Sequence, residues 1–203
     1  MTLVELMVSM SVFSLCMAIV FGAVILVVRK SNDVQKSAGA VSELRLALSQ
    51  MDRQVRSGNV LFSPAGETTT GCTGDTTTNS GTCMRVFTQA NGPEKCVQWQ
   101  VLADPADSTG ATKILRTRSW TTDWVDTGSY TAWSTVARGL TLAGGNPFTL
   151  QGASTPYRER LLDVTLSALD SRRHTSVVIT SSMSGRNTNY GYSAGQCTPV
   201  PPA

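Results

Sequence analysis

From Leu6 to Val28 the chain reads LMVSMSVFSLCMAIVFGAVILVV, 23 residues without a charged side chain, and the first Lys or Arg of the whole sequence, Arg29, follows directly. As a helix this run would be roughly 35 Å long at about 1.5 Å per residue, enough to cross a bilayer core of about 30 Å with some tilt. A secretory signal peptide carries a basic segment ahead of a shorter apolar core that ends in small residues, and the run has none of these marks. The remainder is a different kind of sequence. All 17 Lys and Arg and 13 of the 14 Asp and Glu lie after Val28, so that part carries only +4. Binding nucleic acid through phosphates asks for a dense basic stripe, whereas these cations are scattered among the acids.

Past the apolar run, Val34, Ala38, Val41, Leu44, Leu48, Met51 and Val55 recur at steps of three or four. This spacing extends one helical face beyond the membrane segment. Ser57-Gly58 is the expected stop, because glycine takes the left-handed conformation that closes helices. The second half of such a helix needs a partner for its apolar stripe. The partner is expected between Met84 and Met183, where Val, Leu, Ile, Trp and Thr runs alternate with Gly, Pro, Asn and Asp. Strands are expected at Met84 to Gln89, Cys96 to Leu102, Lys113 to Trp120, Thr135 to Leu142, Arg160 to Leu169 and Thr175 to Met183, with a hairpin turn at Ser171-Arg172-Arg173. The fold class is therefore α+β, a long N-terminal helix on an antiparallel sheet. Three segments follow: a transmembrane or filament-core helix at 1–28, its amphipathic continuation at 29–58, and an exported β-rich domain at 59–203.

Cys16 lies in the apolar helix, while Cys72, Cys83, Cys96 and Cys197 fall in the polar remainder. Four cysteines after a membrane segment read as two disulfides in an oxidising compartment, with three possible connectivities. Cys72 with Cys83 across a short loop and Cys96 with Cys197 tying the tail to a strand is the favoured pairing. A zinc site would want a CxxC, which is missing, and the single histidine, His174, is remote in sequence. Ser63 to Thr82 is rich in Ser, Thr and Gly and is expected as a surface excursion pinned by Cys72 and Cys83; its threonines could carry sugars, but the composition favours a plain solvated loop. The tail from Asn187 to Ala203 is expected to be irregular, its end Pro199-Val200-Pro201-Pro202 extended rather than helical.

The head of the helix, Met1-Thr2-Leu3-Val4-Glu5-Leu6-Met7-Val8, places one carboxylate in a membrane segment. An ionised side chain deep in a bilayer costs about 2.5–3.5 kcal/mol on insertion scales, so an intramembrane acid is a functional-site hypothesis by default. Its plain alternative is a terminal charge snorkelling to the headgroups. The string Met1-Thr2-Leu3-Val4-Glu5-Leu6 resembles the start of a mature type IV pilin or type II secretion pseudopilin. The resemblance implies a leader cut just before Met1 by a prepilin peptidase and methylation of the new amine. It also gives Glu5 the role of pairing with the N-terminal amine of a neighbouring subunit, and so implies a pilin-like fold.

That history answers a conflict of charge. Arg29 and Lys30 follow the span with nothing basic before it, which by positive-inside would keep the large domain in the cytoplasm. The cysteines argue for the opposite side. A basic leader ahead of Met1 removes the conflict, and Met1 is accordingly read as a processed N-terminus. The implied localisation is the cytoplasmic membrane before assembly, then an extracellular pilus or periplasmic pseudopilus. The implied partners are other pilin subunits through the N-terminal helix, the inner membrane, the peptidase and N-methylase, and an assembly platform.

Where major pilins carry a proline in the membrane helix, this chain has Gly22. Local melting there is one reading; close helix contact, shared with Ser9, Ser11 and Ser14, is the other. The stretch Glu43-Leu44-Arg45-Leu46-Ala47-Leu48, with Met51-Asp52-Arg53-Gln54-Val55-Arg56-Ser57, resembles W-type minor pilins and J-type pseudopilins. So does the C-terminal strand ending Val177-Val178-Ile179-Thr180-Ser181-Ser182-Met183-Ser184-Gly185-Arg186-Asn187. The resemblance implies a minor subunit that primes assembly or sits at a filament tip. A major pilin, a pseudopilin or a ligand-binding tip subunit that takes an adhesion target or DNA stand as alternatives.

An enzyme is not expected: GxSxG, HExxH and P-loop motifs are missing, and His174 between arginine-rich turn residues lacks a nucleophile or carboxylate beside it in sequence. No cofactor or metal is called for. A Ca²⁺ site among Asp104, Asp107, Asp123 and Asp126 is the one metal arrangement the acids suggest, though acidic loops are usually just solvated. Trp99, Trp120, Trp124 and Trp133 with Arg116, Arg118, Arg158 and Arg160 could form an aromatic and cationic ligand surface. Tryptophans on strands are, however, more often core.

Overall fold

The apolar run and the amphipathic stripe form one α-helix. In the computed structural model, which describes residues 3–90, 92–142, 145–152, 161–170, 175–185 and 195–202, α1 spans Leu3–Arg56 and is unbroken at Gly22. The chain divides into two compact units, Met1–Gly39 and Ala40–Ala203.

In the first unit, Leu3–Asn32 is long and apolar enough to cross a membrane, and none of it is buried. Its serines satisfy themselves. The hydroxyls of Ser9, Ser11 and Ser14 donate to the carbonyls of Glu5, Val8 and Met10 at 2.8, 2.8 and 2.9 Å. Bonding back to the preceding turn removes three donors that would be expensive to expose in hydrocarbon. A Cβ placed on Gly22 meets nothing within 4 Å, so that face of the helix is open.

The second unit begins with the remaining helix. Leu44, Ala47, Leu48, Met51 and Val55 are buried, the stripe expected from the periodicity, while Leu46 on the other face is 68% exposed. Val41 is half-buried, and the side chains of Val34 and Ala38 lie outside the described residues. Arg53 and Arg56 in the last turn complement the negative end of the helix dipole. The helix stops where expected but for another reason. Gly58 does not adopt a positive φ; it starts β1 (Gly58–Phe62), and a Cβ there would lie 2.7 Å from Val86 Cγ2 and 2.9 Å from the Val55 carbonyl oxygen. Glycine is required by close approach, not by handedness.

Nine further strands follow: β2 (Gly74–Asp75), β3 (Ser80–Gly81), β4 (Cys83–Thr88), β5 (Lys95–Ala103), β6 (Lys113–Trp120), β7 (Ser134–Thr141), β8 (Phe148–Leu150), β9 (Leu161–Asp170) and β10 (Thr175–Ser184). A short helix, α2, spans Trp124–Thr127. All strand pairs are antiparallel, in the order β1-β4-β5-β6-β7-β9-β8-β3-β2, with β10 on the other edge of β9. The fold is thus α+β, a helix on a curled antiparallel sheet. The curl is tight enough that Gly185, just after β10, meets both α1 and β1: a Cβ there would lie 2.9 Å from the Val55 carbonyl oxygen and 3.0 Å from Leu61 Cδ1. The six strands read from the sequence are β4, β5, β6, β7, β9 and β10. The segments missed are β1, β2, β3 and β8. The turn Ser171-Arg172-Arg173 lies outside the described residues, although β9 and β10 pair in continuous register from Asp170 with Thr175 to Leu161 with Ser184.

The two sheet faces bury different chemistry. One face presents Met84 and Val86, then Val97, Trp99 and Val101, then Leu115, Leu140, Val164 and Leu166 to the helical stripe. Trp99 Nε1 donates to Gln54 Oε1 at 2.7 Å, so the largest core ring also has its polar atom satisfied. Truncating the stripe should therefore be expensive. Met51→Ala is expected to lower unfolding free energy by about 2–5 kcal/mol, and Leu46→Ala by no more than about 0.5 kcal/mol. Denaturant titration of the full chain in nonionic micelles measures both.

Candidate functional site

Alternation along β4, β5 and β6 sends Arg85, Gln98, Gln100, Arg116 and Arg118 to the face opposite the helix, together with Phe87, Cys96 and Trp120. A polar set on a sheet face would ordinarily be solvated. Here two irregular segments cover it. The stretch Ser63 to Thr82 is not the plain surface excursion expected: it holds a 3₁₀ turn at Pro64–Gly66, β2 and β3, and it carries Glu67 into the face, only 5% exposed. The disulfide Cys72–Cys83 closes it. The second cover is the tail, held by the disulfide Cys96–Cys197 to β5. Arg85 Nη1 donates to the Cys197 carbonyl at 2.8 Å, Trp124 Nε1 to the Pro199 carbonyl at 2.8 Å, and Arg118 Nη1 to the Pro202 carbonyl at 2.7 Å.

Under these covers the side chains form one network. Arg85 Nε lies 3.0 Å from Glu67 Oε1, held by charge rather than by an aligned hydrogen bond, and its guanidinium stacks 4.3 Å from the Phe62 centroid. Gln98 Nε2 donates to Glu67 Oε2 and Thr69 Oγ1, both at 3.0 Å, while Gln98 Oε1 accepts from Arg118 Nε at 3.0 Å. Gln100 Oε1 accepts from Arg116 Nε at 2.8 Å. The Trp133 ring centroid lies 4.3 Å from the Arg116 Cζ and 4.4 Å from the Arg118 Cζ, and Trp120 lies 5.5 Å from Arg118. Cations over indole faces are favoured by the ring quadrupole, more so when desolvated. Burial pushes Arg118 down to about 10, with Arg116 acting the same way and Glu67 opposing. Burial also lowers Arg116. Glu67 is raised by burial, against the pull of Arg85.

The sequence candidates are distributed unevenly over this geometry. Arg116, Arg118, Trp120 and Trp133 come together; Trp99 is core on the helix side; Trp124 and Trp133 lie outside the strands. Arg158, Arg160 and His174 lie outside the described residues, as do Met1 and Thr2, whereas Glu5 is exposed on α1. Two of the four acids proposed for Ca²⁺, Asp104 and Asp107, are used locally. Asp104 accepts from Arg138, and Asp107 accepts from the amides and hydroxyls of Thr109 and Thr112, which hold it well below the usual carboxylate range. Among the described residues no three His, Cys, Asp or Glu side chains converge on a metal position. Arg85, Gln98, Gln100 and Glu67 escape the sequence reading. Their signal is the period of two in Cys96 to Val101, which puts Gln98 and Gln100 on the face of Cys96.

No protein-family model, curated protein or solved structure matches the chain. The site therefore rests on its own chemistry, and Glu67 offers a direct probe of it. Because its folded value is raised above the ordinary 4.5, its contribution to stability is fully present below that pH and is lost as pH rises through the folded value. The thermal midpoint of the parent chain minus that of Glu67→Gln is expected to be constant below pH 4.5 and to fall above it. A flat difference would remove Glu67 from the network.

Proposed function

We propose that the chain is a structural subunit of a type IV pilus-like filament, of the minor kind that primes assembly or sits at the tip. The observation that carries this reading is the wholly exposed apolar surface of α1 from Leu3 to Asn32, with Glu5 at its head. Such a surface requires a cover along its whole length, and only lipid or a bundle of similar helices supplies one. Two covers of the same chemistry suit a subunit that moves from one to the other. The sequence Met1-Thr2-Leu3-Val4-Glu5-Leu6 adds the resemblance, in which Glu5 meets the terminal amine of a neighbour. In that setting the two disulfides suit an exported domain, since such bonds persist in oxidising compartments. The stripe from Leu44 to Val55 anchors that domain to the helix that enters the filament.

The test is intact-mass and N-terminal analysis of protein from sheared surface filaments, for the parent chain and Glu5→Ala. The expected result is a chain beginning at an N-methylated Met1, present in trace amounts, absent from filaments in the variant, with far fewer filaments when the gene is deleted. High abundance would make it the filament body instead. A protein confined to the membrane, with filament number unaffected by its deletion, would overturn the filament reading.

A further inference from the structure

Among the described residues, the outer face of β6 holds hydrogen-bond donors without acceptors and two arginines whose acceptors are neutral. Arg118, at 3% exposure, spends Nε on Gln98 and Nη1 on the Pro202 carbonyl, but its Nη2 is buried without an acceptor. The indole N–H groups of Trp120 and Trp133 are likewise buried and unpaired. Trp120 and Trp133 are the two rings packed against the Arg118 guanidinium. The other two tryptophans differ: Trp99 donates to Gln54 and Trp124 to Pro199. The Arg118 Nη2 and the indole N–H groups of the two rings packed against that guanidinium are therefore all unpaired, where native interiors leave very few such groups.

Charge points the same way. Arg116 and Arg118 flank Trp133, yet among the described residues neither has an ion pair or a hydrogen bond to a carboxylate; their acceptors are the neutral Gln100, Gln98 and Pro202. Glu67, the one acid in the network, is engaged by Arg85 and Gln98. A buried guanidinium, Arg118, beside a half-buried one, Arg116, with neutral acceptors and unused donors, favours an anion. Water would satisfy the N–H groups and leave the charge uncompensated. Arg116 and Trp133 are half-buried, so they lie nearer to solvent than Arg118 and Trp120.

We infer that Arg116, Arg118, Trp120 and Trp133 form a binding site for an oxyanion, a phosphate or carboxylate group carried by a molecule outside the chain. Arg118 contributes its unpaired Nη2 and Arg116 the charge of its guanidinium, and charge-assisted N–H bonds to either oxyanion are stronger than those to neutral acceptors. The indole N–H groups supply the lateral donors. This site is independent of the helix chemistry at Glu5, and its loss would leave the filament reading intact.

The full chain, ¹⁵N-labelled at tryptophan and held in nonionic micelles, is titrated with inorganic phosphate and separately with acetate at constant ionic strength set by sodium chloride. The expected result is a saturable shift of the Trp120 and Trp133 indole signals while that of Trp99 stays in place. Arg116→Gln, whose side chain is not fully buried, should keep the Trp99 signal and weaken binding by about tenfold or more. Response to both anions identifies a general oxyanion site; response to one alone identifies the group recognised. Absence of a saturable shift with either anion, or an affinity unchanged in Arg116→Gln, overturns the inference.

Discussion

Burial of one helical stripe, Leu44 to Val55, against the concave side of the sheet is the contact on which the rest of the structure depends. A helix alone cannot cover that stripe, and a curled sheet alone would expose Trp99, Val86 and Leu166. Each supplies what the other lacks. The Trp99 to Gln54 hydrogen bond fixes their register, because the indole N–H has no solvent to turn to at that depth.

Once the helix occupies one face, β4, β5 and β6 still have a second face to manage, and its solution is unlike the first. Instead of another apolar layer, the chain lays an irregular loop and its tail over arginines, glutamines and indoles. Two disulfides hold these covers where a hydrophobic core would be too thin to do so. The backbone carbonyls of Cys197, Pro199 and Pro202 become the acceptors for side-chain donors on the sheet. Polar burial of this sort depends on complete pairing, and among the described residues the donors of Arg118, Trp120 and Trp133 are one group for which pairing falls short.

Much of this was legible in the sequence, for reasons that can be assigned to particular residues. The apolar run and the stripe through Leu44, Leu48, Met51 and Val55 carry a strong period and map directly onto α1. Strands such as Lys113 to Trp120 are long enough for a pattern to register. By contrast β2 and β3 have two residues each and β8 three, too short for any period, and they form because neighbours recruit them. The burial of Glu67 was hidden for a related reason: a Ser/Thr-rich segment reads as solvated unless the surface it lies on is known. Gln98 and Gln100 sat in plain alternation with Val97, Trp99 and Val101, but alternation distinguishes faces, not whether the polar one is covered.

Gly58 and Gly185 are 127 positions apart by their numbers, yet each brings its missing side chain to within 2.9 Å of the same atom, the Val55 carbonyl oxygen. The first strand of the sheet and the end of its last therefore close on one point at the foot of α1. Their evolutionary fates are consequently joined. A larger residue at either position would have to displace that carbonyl, so the costs of the two changes would not simply add.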